Sequence, residues 1–112
     1  MPNIDKETTQ VAPKDNTIFI GIKPFMNYVR AVTMQFKDYN QKEVIICARG
    51  KFISRAVVVA EVIKRFLKDE NIKIDDIKVG SNEFENKEHK KIFVSTIEIK
   101  LVKGEIADDI HL

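Results

Sequence analysis

The chain has a single cysteine and no apolar run approaching the ~20 residues of a membrane-spanning helix. The lone Cys47 excludes an internal disulfide and a cysteine zinc site. It fits a reducing, intracellular setting and reads as a small core side chain. The opening segment, MPNIDKETTQVAPKD, lacks the apolar stretch of a secretory signal. No Ser/His/Asp set, carboxylate cluster with metal-site spacing, His–carboxylate pair or complete phosphate loop is visible. An enzyme such as a nuclease is therefore disfavoured, and neither cofactor nor metal is expected. His89 sits among loop lysines and His111 in the tail, and neither supports a site. Internal repeats are absent as well.

What is present suits one domain of 112 residues, 44% hydrophobic and 32% charged. The net charge of +2 hides an asymmetry. Residues 1–15 carry −1 and residues 104–112 carry −3, which leaves +6 on the body, residues 16–103. A basic body with acidic ends suits a polyanion partner. Solubility alone is the competing account of the same charges. The polar, aperiodic residues 1–15 read as a disordered arm, and 104–112 as a loose acidic tail.

The body alternates strands and helices. NTIFIG reads as a short buried strand through Ile18, Phe19 and Ile20. Pro24 then opens a helix over 24–38, with Phe25, Val29, Val32 and Phe36 on one face. KEVIICAR is apolar on both faces, as expected of a central strand covered on both sides. A second helix runs from about Ile53 to Lys68, with Ser54 as a candidate cap. Its stripe Ile53, Val57, Ala60, Ile63, Leu67 suits the domain's own core. A second stripe, Val59, Val62 and Phe66, suits a self-association surface or a core that wraps the helix. IKIDDIKVGSNEF and KIFVSTIEIKLV close the body as two strands joined by the charged link ENKEHKK, a long hairpin with an exposed tip. The order strand, helix, strand, helix, strand, strand predicts an α+β two-layer sandwich: a four-stranded mixed sheet with two helices.

The first two strands should pair in parallel, which brings both strand-to-helix junctions, GIKP and ARGK, to one edge of the sheet. Lys23, Arg49, Lys51 and Arg55 then converge beside two helix N-termini, an arrangement that favours phosphate. Arginines fork onto phosphate oxygens, and lysines act as mobile point charges. Gly50 permits positive φ or close approach of a ligand. Lys87, Lys90 and Lys91 make the hairpin a second cationic element, diluted by Glu83, Glu85 and Glu88.

The stretches GIKPFMNYVRA, EVIICARGKFISRAVVVAEVIKRF, IKVGS and VSTIEI together resemble the Alba family of small basic archaeal chromatin proteins, with relatives among ribonuclease P protein subunits. The resemblance runs from about Asn16 to Val102. It implies a homodimer that binds double-stranded DNA and RNA without strong sequence preference and organises chromatin. It also implies hairpin arms lying along the minor groove. By position, Lys23, Arg49, Lys51 and Arg55, together with Asn27 and Tyr28, fall on nucleic-acid-facing positions of the family, and Phe66 on a contact between dimers. Two departures stand out. The family's typical loop carries two lysines after the glycine, whereas here Ile22 precedes Lys23, removing one phosphate contact and one acetylation site. Phe52 is bulkier than the small residue expected beside the binding loop. The expectation is a non-catalytic nucleic-acid-binding protein, cytoplasmic and chromosome-associated. An RNA-binding subunit of a ribonucleoprotein is the alternative, and a protein-interaction scaffold that uses the apolar helix face is a third reading.

Overall fold

The structure is a computed structural model that describes residues 16–104. The expected arm, 1–15, and the acidic tail from 105 onward lie outside the described residues. Six main elements follow one another: β1 (Thr17–Phe19), α1 (Phe25–Lys37), β2 (Glu43–Arg49), α2 (Ile53–Phe66), β3 (Ile72–Glu85) and β4 (Lys91–Lys103). Short 3₁₀ turns, Gly50–Phe52 and Lys68–Glu70, flank α2. The sheet runs β1-β2-β4-β3, with β1 parallel to β2 and the other two pairs antiparallel. This is the α+β sandwich that the element order predicts.

Alternation along the strands decides which face is covered. Ile18, Ile20, Val44, Ile46, Ala48, Ile97, Ile99 and Leu101 are buried on the face that carries the helices. Val29, Val32 and Phe36 of α1 and Ala56, Val59, Ala60 and Ile63 of α2 close over them. The other face stays open. Ile45 and Cys47 are only half-buried there, and Phe19 is 73% exposed. Three expectations are corrected by this one geometry. β2 is not covered on both sides, Phe19 does not belong to the core, and Cys47 lies on the open face.

Helix α2 corrects two more. Val59 is fully buried in the chain's own core, whereas Val57 is 43% exposed, so the two exchange the roles read from the sequence. At about 100° per residue, Ala56, Val59, Ala60, Ile63 and Leu67 centre on one direction, and Val57 stands on a flank of that stripe. Ser54 is exposed inside the first turn and does not cap the helix; the turn Gly50–Phe52 leads directly into Ile53.

The hairpin of β3 and β4 gives the molecule its longest dimension, 59 Å. Within β3 the register shifts between Ile74 and Asp76, so Asp75 is an extra residue. Before it, even-numbered residues, Ile72 and Ile74, lie on the helix side. After it, odd-numbered residues do, because Ile77 pairs with Ile99 and Val79 with Ile97. At the base of the hairpin, Lys103 Nζ donates to the Phe36 carbonyl (3.0 Å) and to Asn40 Oδ1 (3.3 Å), and it pairs with Glu70 at 3.3 Å. A cation on the last carbonyls of α1 satisfies acceptors that the helix leaves unpaired.

One buried group is out of keeping with its surroundings. Gln35 on α1 is fully buried, and among the described residues its carboxamide has no hydrogen-bond partner. An unpaired buried amide costs about 1–3 kcal/mol. Gln35→Met keeps the length and removes the polar atoms, so it should raise stability by about that amount in urea titration. A variant no more stable than the parent would mean that the amide is satisfied in solution.

Candidate functional site

The parallel pairing Ile18↔Ile46 and Phe19↔Cys47 makes β1 and β2 leave the sheet at the same edge. What fixes the two following segments together is Arg55, in the first turn of α2. Its Nη1 donates to the carbonyl oxygens of Gly21, at 2.7 Å, and Lys23. Its guanidinium also lies 5.8 Å from the centre of the Tyr28 ring. Tyr28 is buried, and its hydroxyl accepts the Lys23 backbone N–H at 2.9 Å. Arg55 and Tyr28 thus shape the loop from within. Tyr28 is enclosed within the loop, whereas Arg55, half-buried and engaged through Nη1, still borders the open groove beside Ile22.

The cations left at this edge are Lys23, half-buried, and Arg49 and Lys51, both exposed. Asn27 is half-buried in the first turn of α1. Lys51 lies 5.6 Å from the Phe52 ring centre, and Arg49 lies 5.3 Å from that of Phe84 on β3. The Arg49 stack ties the corner to the hairpin, a contact that no local sequence signal announces. Gly50 sits between these cations at φ 59°, the left-handed region that side chains disfavour. A Cβ there would meet Val94 only at ordinary contact distance, 3.5 Å, so it is the backbone conformation that requires glycine. Ile22 is 86% exposed and shares with Lys51, Phe52 and Arg55 a shallow groove of ≈ 450 Å³.

At the far end of the hairpin, the Asn86 side chain accepts the N–H groups of Glu88 and Lys90, both at 2.9 Å, and His89 takes a positive φ. This tight turn presents Lys87 and Lys90, both exposed. Lys91 is paired with Glu83 at 3.3 Å and offers less free charge. On the open sheet face, burial and then the Glu98 carboxylate push the Cys47 thiol up, which disfavours the reactive thiolate. Among the described residues no group of His, Cys, Asp and Glu is placed to hold a metal ion.

On α2 the expected self-association residues separate. Val59 belongs to the core, Val62 packs half-buried against it, and Phe66 is 61% exposed. Phe66 and Val57 stand on opposite flanks of the helix, nine residues and about 180° apart. The helix therefore presents two distinct apolar flanks, one toward α1 and one toward the hairpin side.

The family model of Alba matches residues 16–81. A protein of Methanocella arvoryzae named DNA/RNA-binding protein Alba is 49% identical over 98 residues, covering 87% of this chain and 99% of that protein. One of the same name from Nanoarchaeum equitans is 54% identical over 88 residues, covering 77% and 96%. Among solved structures, Alba from Thermoplasma volcanium superposes with a TM-score of 0.71 at 43% identity, covering 79% of this chain and all of that one. The shared stretch contains both junction loops, the glycine turn and α2 and spans nearly the whole length of these relatives, so the chain belongs to the Alba family.

Proposed function

We propose that the chain is a non-catalytic protein that binds double-stranded DNA and RNA largely without regard to sequence, helping to organise the chromosome in the cytoplasm. One observation carries this reading: the parallel pairing of β1 and β2, with the Arg55 clasp from α2 to the first junction loop, sets Lys23, Arg49 and Lys51 along one edge. Cations held at fixed spacing beside helix N-termini neutralise backbone phosphates, which position a nucleic acid without reading its bases. The hairpin extends this reach. Its fourteen-residue strand β3 spans about 45 Å at the usual rise, with Lys87 and Lys90 at the tip to follow the minor groove. The relatives' names, DNA/RNA-binding protein, support both nucleic acids. They also leave room for the second reading, a ribonucleoprotein subunit whose partner in the cell is RNA.

A homodimer completes the proposal. Ile77, Val79 and Phe93 are exposed on the helix side of the hairpin, beyond the cover of α2, and Val57 faces the same side. An apolar surface of this kind suits a second copy of the chain. Phe66, on the opposite flank, suits contacts between dimers on nucleic acid.

Three measurements test these statements. Log affinity for duplex DNA should fall linearly with log salt, by about 0.9 per phosphate neutralised. Arg49→Ala and Lys51→Ala should each flatten that slope by about one unit, similarly on unrelated sequences, with unchanged melting. Arg55→Ala should lose binding and about 1–3 kcal/mol of stability together, because two carbonyls lose a charged donor. Affinity indifferent to salt would refute the phosphate edge.

Ile22→Lys restores the family's second loop lysine at an exposed position. Tighter duplex binding, by on the order of 1 kcal/mol, is expected at unchanged melting temperature. A drop in melting without a gain in affinity would make Ile22 a packing residue.

For assembly, Val79→Asp should yield a folded monomer by light scattering. Phe66→Ala should leave the dimer intact and loosen only the larger complexes on DNA. A dimer that survives Val79→Asp would place the interface elsewhere.

A further inference from the structure

The open face of the sheet carries a second groove, of ≈ 860 Å³, that the phosphate edge does not explain. Its wall is Phe19, and Cys47, Thr96, Asn82 and Glu98 line it, with Arg49 and Lys51 at its mouth. Strand register sets this arrangement. Phe19 pairs with Cys47, Cys47 with Glu98, Arg49 with Thr96, and Thr96 with Gly80. Strands lie about 4.8 Å apart, so Phe19 and Glu98 stand roughly 10 Å from each other across the small side chain of Cys47. Gly80 keeps the neighbouring row low, since a Cβ there would come within 3.3 Å of Thr96 Oγ1. The result is a low floor between an aromatic ring and a set of hydrogen-bonding groups.

Phe19 is the unusual member, a phenyl ring 73% exposed on an otherwise well-packed strand. Nothing in the fold requires it, because Ile18 and Ile20 supply the core contacts of this segment. An exposed aromatic ring beside two cations is what unpaired bases recognise: the ring stacks, and the cations hold the flanking phosphates. The polar groups narrow the class. The Glu98 carboxylate accepts hydrogen bonds and repels phosphate, so it suits the amino edge of cytosine, adenine or guanine rather than thymine or uracil. In a duplex the base faces are stacked on their neighbours, so a paired base cannot lie against Phe19 while its amino group meets Glu98.

We infer that the open sheet face is a platform for an unpaired, amine-bearing nucleotide of a single strand, entered from the phosphate edge. This rests on the reading of that edge as a phosphate site. A strand could then pass from duplex contacts at the corner to base contacts on the sheet without leaving the protein.

The test measures fluorescence anisotropy of the full chain and two variants with oligocytidine and oligothymidine strands, in deoxy and ribo forms, and with a duplex. Phe19→Ala should weaken binding of single-stranded oligocytidine about five- to a hundredfold in at least one sugar form, and leave the duplex unchanged. Its thermal melt should match the parent, because the ring is outside the core. Glu98→Gln should abolish the preference for cytosine over thymine. The platform is overturned if Phe19→Ala leaves single-strand affinity intact in both sugar forms, or lowers duplex and single-strand affinity alike. A salt-dependent duplex affinity combined with either result would sink the platform alone. A duplex affinity indifferent to salt would sink the phosphate edge beneath it.

Discussion

A single guanidinium organises the business end of this fold. Arg55 reaches from the first turn of α2 to the carbonyls of Gly21 and Lys23 and lies over the Tyr28 ring, whose hydroxyl takes the Lys23 N–H. A loop without regular structure would otherwise lose order at about 1–2 kcal/mol of backbone entropy per fixed residue. The clasp offsets that loss with charged hydrogen bonds in a half-buried setting, where they are stronger than in open water. It also separates two kinds of cation at one edge. One is committed to holding the loop, whereas Arg49 and Lys51 are exposed and Lys23 is half-buried. Charge counting cannot make that distinction, whereas the acceptors around each nitrogen do.

The rest of the molecule is arranged by having two layers instead of three. The helices cover one face of the sheet, and the hairpin runs past their cover. Each consequence puts aromatic or branched side chains in water: Phe19 on the open face, Ile77, Val79 and Phe93 on the arm. A small domain keeps such surfaces when they are covered by another copy or used for contact, since free apolar edges otherwise promote aggregation. The Arg49–Phe84 stack then joins the arm to the corner.

Much of this was legible in the residues. The element order and the parallel start placed both junction loops at one edge, and the left-handed turn was legible in Gly50. The α1 stripe was readable from spacing alone, although Tyr28 and Gln35 joined it unannounced. The failures share a cause. VIICA is apolar on both faces, but apolarity does not say whether a second layer exists to cover it. VVV at 57–59 offers three neighbouring branched residues, and only the helix phase, fixed by Ala56 and Ala60 against the sheet, decides that Val59 turns inward. Phe19 was legible in principle, because strand alternation places it opposite Ile18 and Ile20; length and flanking residues pointed to burial instead. Arg55 was found as a cation but not as a clasp, because its two acceptors lie more than thirty residues away in sequence.

The extra residue Asp75 has a wider meaning for how such a chain can vary. Upstream of it, the strand is committed to the core by Ile72 and Ile74; downstream, the opposite parity carries Ile77 and Val79 to the same side. The bulge works as a phase shifter between a fixed base and a free arm. Were Asp75 to join the ladder instead of bulging, Lys78 and Gly80 would turn toward the helix side and Ile77 and Val79 to the other, whereas losing it outright would keep the faces of both base and arm. Residues added as matched pairs across the Asn86 turn extend the arm and preserve both faces. The arm's length is therefore free to drift between descendants of this sequence, while its parity is locked.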